Sequence, residues 1–429
     1  MSPMKDKLAL LGGTPVIRQP FPPYRSLGVE EIDAANRVLR SGVLSAYVGA
    51  RGDRFMGGSE VRALEVEAGK YFGVRHAIAV NSWTSGLIAA VGAIGVEPGD
   101  EVIVTAWTMA ASATAIVHWN AIPVFADIDR ETFNVDSSAV ESLISERTRA
   151  IMSVDIFGQS ADMDRLRAIA IRHGLKIISD TAQSPGAKYR DHYAGTLADI
   201  GGYSLNYHKH IHCGEGGIVV TNDDRYAERV RLIRNHAEAV VEGSQPSELS
   251  NMIGYNFRLG EIESAITREQ LRKLAGKVES RQTAAGRLSE GLKGLVGLVL
   301  PKVSPNCTHV YYVFGMRLDG DQLGVTREKL VAALRAEGVS GLGAGYQNVH
   351  RLPMFRYGIA YGKNGFPWTG LANVSGRLPS TNSCPVAEKL HEQEFFYLNI
   401  CAHEYTTSET EQVIAAFKKV WSQLPSLRG

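Results

Sequence analysis

Cysteine is scarce in this chain. Its four thiols, Cys213, Cys307, Cys384 and Cys401, are far apart and form no C-x-x-C pair. That spacing argues against a disulfide framework and the common zinc sites, and reads as reduced thiols in a cytoplasmic protein. Surplus charge of one sign is missing too: 46 Lys+Arg stand against 45 Asp+Glu, a net charge of +1. No strong field draws the chain to nucleic acid or to an anionic membrane. No apolar run approaches the roughly 20 residues of a membrane helix. The opening "MSPMKDKLALLGG" lacks the apolar core and cleavage site of a signal peptide. A G-x-x-x-x-G-K-[ST] loop is absent, so a nucleoside-triphosphate site is not indicated.

What is present is a regular alternation. The 429 residues are 44% hydrophobic, enough for one large domain plus a smaller one. Between about residues 60 and 235, helical patterns alternate with seven short apolar runs. These are 76–80, 101–104, 122–127, 149–155, 175–180, 200–205 and 216–221. Several are apolar on both faces, as strands of a buried, mainly parallel sheet are. The stretch 163–174 has helical spacing, with Gly174 as its C-cap. The fold class is α/β, a mainly parallel seven-stranded sheet with helices on both faces. Past residue 255 the pattern shifts to a long helix, roughly 258–296, and a strand-like 309–318. A C-terminal helix follows, with a capping box from Ser408 to Glu411. The domains read as 1–280 and 281–429, the second a smaller α+β unit. Residues 356–384 form a long Gly/Ser/Thr/Asn/Pro-rich loop, a candidate lid over a site.

In such a sheet, ligands sit at the carboxyl ends of the strands. Asp180 ends the run 175–180, with Gln183 three residues later. A lone Asp there equally serves as a helix N-cap; its other use is to pair with a protonated ring nitrogen of a cofactor. After 76–80 comes "NSWTSG", where Ser82 and Thr84 can join backbone N–H groups around a phosphate. Taken alone, it is an ordinary Ser/Thr cap. Ser204 ends another run, and Lys209 follows five residues on, in "YSLNYHKHIHCGEGG". A lysine in a turn is normally solvated. A phosphate cradle, a carboxylate and a lysine at strand ends of one sheet are together the equipment for pyridoxal 5′-phosphate. His208, His210 and His212 alternate around the lysine. No carboxylate or thiolate has ligand spacing to them, so they read as packing and hydrogen-bonding groups and no metal is expected.

At this point the chain resembles the DegT/StrS group of fold-type I aminotransferases, which make amino sugars and aminocyclitols. The resemblance runs from "LALLGGTPVIRQPFPPY" through "NSWTSG", "DTAQSPGA", "YSLNYHKHIHCGEGGIVVTND" and "GYNFRLGEIESAI" to "YQNVHRLPMF". It implies that Lys209 bonds the cofactor as a Schiff base and shuttles protons. Asp180 would pair with the pyridine nitrogen, and Gln183 with the phenolic oxygen. Ser204, Ser82, Trp83 and Thr84 would hold the phosphate. Asn256 would reach the phosphate of a partner subunit, giving a homodimer with a shared site. Tyr346, His350, His236 and Arg258 are implied around the substrate. Glutamate or glutamine would be the donor. The acceptor would be a keto sugar, often nucleotide-linked, or a keto cyclitol.

Two positions depart from the family pattern. Trp83 stands where a small residue is usual, and Met109 where an aromatic residue stacks on the cofactor ring. Trp107, two residues earlier, is the alternative ring contact. Dehydratases of the group carry histidine in place of the lysine, and the count from Ser204 lands on Lys209, not on His208 or His210. The remaining alternatives are a dehydratase or other non-transaminating pyridoxal enzyme, and a non-catalytic regulator that keeps the fold.

Overall fold

The computed structural model describes residues 7–238, 249–371 and 383–428. Seven strands form one sheet: β1 (His76–Val80), β2 (Glu101–Thr105), β3 (Ile122–Ala126), β4 (Thr148–Val154), β5 (Lys176–Asp180), β6 (Ile200–Ser204) and β7 (Gly217–Thr221). The order is β1-β7-β6-β5-β4-β2-β3. β7 runs antiparallel to both its neighbours, and the other pairings are parallel. Each strand matches one apolar run of the sequence to within a residue at either end. β2, β3, β6 and β7 are buried at every position, which is why they read as continuous apolar runs rather than alternating ones. Helix Met163–His173 ends as expected on Gly174, whose φ of 64° suits glycine and whose N–H bonds back to the Ala170 and Ile171 carbonyls.

A buried ion pair pins the end of β1, just before the first functional residues. Glu65, on helix Ser59–Phe72, accepts hydrogen bonds from the Ala79 N–H at 3.0 Å and from Arg234 at 2.5 Å. Arg234 is fully buried and also donates to the Ala79 carbonyl at 3.0 Å. Removing the carboxylate would strand a buried guanidinium. Glu65→Ala is therefore expected to destabilise the fold by roughly 3–5 kcal/mol, measured as the shift in urea unfolding midpoint.

The C-terminal region builds a second, antiparallel sheet from β8 (Leu298–Val299), β9 (Phe314–Leu318), β10 (Leu342–Ala344) and β11 (Phe395–Leu398), in the order β8-β9-β11-β10. Its core joins Phe314, Phe396 and Phe417 to Leu8, Ile17 and Phe21 from the N-terminal segment. Helix Glu261–Leu292 connects the two regions and runs unbroken through residue 281. Leu271 and Leu274 pack beside the large sheet, whereas Ala284, Leu288 and Leu292 pack in the smaller core.

Two local expectations need correction. Only the second half of 309–318 is a strand. His309 to Val313 leave the sheet because the Val310 and Tyr312 N–H groups bond the Gly158 and Phe157 carbonyls, and Tyr311 adopts a φ of 51°. The C-terminal helix starts two residues early, at Thr407. The sequence offers T-x-x-E at 406–409 as well as S-x-x-E at 408–411, and the earlier box forms: Glu409 accepts the Thr406 N–H at 2.8 Å. Within the expected loop 356–384, Trp368 is buried and Tyr361 bridges Phe366. Residues 372–382 of that loop lie outside the described residues.

Candidate active site

A cavity of about 350 Å³ opens at the carboxyl ends of β1, β2, β5 and β6. Ser82, Trp83, Thr84, Met109, Asp180, Gln183, Ser204, Lys209 and Tyr346 all line it. Four loops that are far apart in sequence therefore meet where the sheet topology directs them.

The side chain of Asp180, the last residue of β5, is held by three donors. Its Oδ1 accepts the Trp83 indole N–H at 2.7 Å and the Ala182 N–H at 3.2 Å. Its Oδ2 accepts the Ser112 hydroxyl at 2.7 Å. Oδ1 is thereby filled, whereas Oδ2, with one donor, keeps lone-pair capacity for a further cationic donor. The Trp83 ring lies against Gly202 of β6, where a Cβ would come within 2.1 Å of it. Glycine at 202 thus makes room for the indole that orients Asp180. The Trp83 side chain serves the carboxylate, while its backbone stands at the first turn of the following helix.

That helix, Trp83–Ala93, is capped by Ser82, whose Oγ accepts the Ser85 N–H at 3.0 Å. It has no acidic residue in its first turn, so its free N–H groups and positive end favour an anion. Ser204, Thr84 and Ser82 add hydroxyls around the same space.

Lys209 is 8% exposed. Its N–H bonds the Asn206 carbonyl at 2.9 Å, closing a turn after β6. The Nζ lies 4.5 Å from the centre of the Tyr312 ring. Burial lowers the amine's pKa to about 8, against the opposing pull of Asp180. The amine is therefore mostly neutral, and able to take a proton, only above about pH 8.

Gln183 is fixed at both ends. Its Oε1 accepts the Phe157 N–H at 2.9 Å, and its Nε2 donates to the Tyr346 hydroxyl at 3.2 Å. Burial pushes the Tyr346 phenol up to about 12, so it stays protonated. Met109 caps helix Ala110–His118, is 64% exposed and borders the cavity. Trp107 instead is fully buried, with its ring among Phe133, Phe157 and Phe395. Of the two, only Met109 faces the cavity.

The three histidines point different ways. His208 borders the cavity, and burial and Lys209 push its pKa to about 4. His210 is fully buried and donates from Nε2 to the Val310 carbonyl at 2.8 Å. His212 bonds the Ser26 hydroxyl at 2.6 Å. Among the described residues no group of three or more His, Cys, Asp or Glu is arranged to hold a metal ion.

The other sequence-derived residues lie outside this cavity. Arg258 donates from Nε to the Asn256 Oδ1 at 2.9 Å, and its Nη2 lies 2.8 Å from His236 Nε2. Asn256 and His236 are exposed. His350 is buried, 2.9 Å from Glu388. Sequence reasoning missed Ser112 and Tyr312. Ser112 follows Thr108 at i+4, and their hydroxyls are 2.8 Å apart; that spacing past a strand end was the available signal.

A sheet of this order, with a lysine and a carboxylate at its strand ends, is the large domain of a fold-type I transferase. The chain belongs to the DegT/DnrJ/EryC1/StrS aminotransferase family, which matches residues 45–374. It is thus an aminotransferase by descent, from a family that depends on pyridoxal phosphate. It is 37% identical over 308 residues to a "Pleiotropic regulatory protein" of Geobacillus stearothermophilus, covering 71% of this chain and 80% of that one. It is 37% identical over 290 residues to the GDP-perosamine synthase of Caulobacter vibrioides, covering 67% of this chain and 76% of that one. Among solved structures, the aminotransferase from Psychrobacter cryohalolentis superposes with a TM-score of 0.81 at 27% identity, over 95% of this chain and 100% of that one. Among the described residues no helix is long and apolar enough to cross a membrane.

Proposed function

We propose that this chain uses pyridoxal 5′-phosphate, held by Lys209, to transfer an amino group from glutamate or glutamine to a keto sugar. A nucleotide-linked sugar is the favoured acceptor, since the GDP-perosamine synthase it resembles is named for a nucleotide-linked product. A keto cyclitol is the other acceptor of the same chemistry.

The observation that carries the reading is one cavity shared by a buried, partly neutral lysine, an oriented carboxylate and a helix N-terminus. The donor set fits the cofactor group by group. When bound, the cofactor supplies an electron sink for the bond broken at the donor's α-carbon. Lys209 tethers it through Nζ and, as a neutral amine, moves the α-proton. Asp180 would hold a proton at the ring nitrogen, and the Trp83 and Ser112 donors keep its oxygens aimed. Ser82, Thr84, Ser204 and the helix end receive the phosphate. Gln183, hydrogen-bonded to Tyr346, would meet the phenolic oxygen. Met109, at the cavity's border, would pack its thioether against the ring.

The exposed Asn256–Arg258–His236 cluster is read as serving the site of a second copy, which makes the working unit a homodimer. A purely regulatory role, suggested by the name of one relative, gives no reason to keep an amine buried opposite Asp180.

The test is the absorption spectrum of the purified protein with L-glutamate or L-glutamine. A yellow band is expected that bleaches with one of the two and is absent in Lys209→Ala. A band that neither donor bleaches would count against transamination from these donors. Failure to take up cofactor at all would remove the assignment of Lys209 and Asp180.

A further inference from the structure

A second cleft, of about 460 Å³, lies between the N-terminal segment at 24–26, helix Glu261–Leu292 and the turn at 400–405. It backs onto the active site. His212, three residues after Lys209, bonds Ser26 on its rim. Cys401 Sγ lies 3.3 Å from the carbonyl oxygen of Tyr312, whose ring covers the Lys209 amine.

Five of its side chains are cationic: Arg25, Arg272, Lys273, Lys277 and Arg281. Two are neutralised locally. Arg272 pairs with Glu67 and Glu269, and Lys273 with Glu30 and Glu31. Lys277 and Arg281 are not. They stand four residues apart on one helix face, where like charges repel. Lys277 bonds only the neutral Oε1 of Gln270, at 2.6 Å. Arg281 is only 6% exposed, and its buried Nη1 has no hydrogen-bond partner among the described residues. Both cations sit over the Tyr24 ring, at 5.4 Å for Arg281 and 5.9 Å for Lys277. Glu404 also lines the cleft, but among the described residues it forms an ion pair with neither.

A buried, unpaired guanidinium beside a second cation costs free energy unless an anion joins them. We propose that this cleft binds a phosphate or diphosphate group, at a site separate from the cavity around Lys209. Arg281 presents the planar fork suited to a tetrahedral oxyanion, Lys277 a point charge one turn away, and Arg25 an exposed third cation. Burial and the Arg281 charge lower the pKa of Lys277 to about 7, so the free cleft carries its full charge below that pH, and a bound anion would raise the value. The assignment rests on the long helix and not on the chemistry of Lys209.

The test is calorimetric titration of the cofactor-loaded protein with pyrophosphate, and separately with GDP and UDP, at low salt. Saturable binding below about 1 mM is expected. Lys277→Gln and Arg281→Gln should each weaken it about tenfold or more, while keeping the yellow band that reports a folded, loaded active site. Should Arg281→Gln fail to fold, Lys277→Gln and Arg25→Gln carry the same test. Tenfold tighter binding of GDP or UDP than of pyrophosphate would identify the diphosphate as part of a nucleotide-linked ligand. Equal affinities would identify a free diphosphate as the ligand. No saturable binding of any of the three, or binding that the variants leave unchanged, would overturn the site.

Discussion

Lys209→Met is expected to abolish transamination and, in the same protein, to stabilise the cofactor-free fold. The loss follows from chemistry. In the proposed function the amine tethers the cofactor and moves the α-proton; its removal takes away both, and positioned proton transfer alone contributes roughly 10²–10⁴-fold. A fall of at least about 10³-fold is expected, together with loss of the yellow band. The gain follows from the environment. The amine is 8% exposed and its pKa falls from 10.5 to about 8. That shift is a folding penalty of about 3 kcal/mol for keeping the ammonium buried below pH 8. Between pH 8 and 10.5 the unfolded chain holds a proton at this lysine that the folded chain has released. Wild-type stability therefore rises with pH across that window. Lys277, lowered to about 7, adds a rise of the same sign, so the informative quantity is the difference between wild type and variant. Methionine keeps the length of the stem and removes the charge. The variant should unfold at higher urea than the wild type at pH 7, and the gap should close towards pH 10.5. A variant less stable at pH 7 would mean that the ammonium is well solvated or paired in the folded state.

The sequence carried the scaffold and the polar ends of its strands. Seven short apolar runs, several of them apolar on both faces, read as strands of a buried sheet, and the sheet's topology then brings whatever follows them to one edge. Ser82, Asp180, Ser204 and Lys209 were legible for that reason: each sits at a strand end or in the loop that follows one. Residues whose roles depend on distant partners were not. The Trp83 indole meets Asp180 across 97 residues of chain, and nothing local distinguishes it from a cradle residue. Tyr312 read as part of a regular strand. Hydrogen bonds to Gly158 and Phe157, some 150 residues away, lift its segment off the sheet and over Lys209. The cationic cleft needs three separate segments, and a near-neutral overall composition conceals it.

Asp180→Asn should separate the proposed catalytic role of this carboxylate from its structural one. In the folded chain the carboxylate accepts from Trp83, Ser112 and Ala182. An asparagine can turn its carbonyl oxygen to the indole and backbone N–H groups, which only donate. Its NH₂ then faces Ser112, whose hydroxyl can rotate to accept. Every donor keeps a partner, so the cofactor-free protein should unfold within about 1 kcal/mol of wild type, the usual range for a substitution that strands no buried group. The ring nitrogen of the cofactor fares differently. A neutral amide offers it no counter-charge, and an opposite charge at this range is worth about 1–3 pKa units. At about 1.4 kcal/mol per unit, loss of two units lowers the rate of donor conversion by about a hundredfold. The expected result is a yellow band that still forms through Lys209 but bleaches about a hundredfold more slowly with the donor. Unfolding midpoints of the two cofactor-free proteins should nearly coincide. If bleaching stays fast, Asp180 does not face the ring nitrogen. If the fold itself collapses, the Trp83 and Ser112 bonds need the charge of the carboxylate and not only its oxygens.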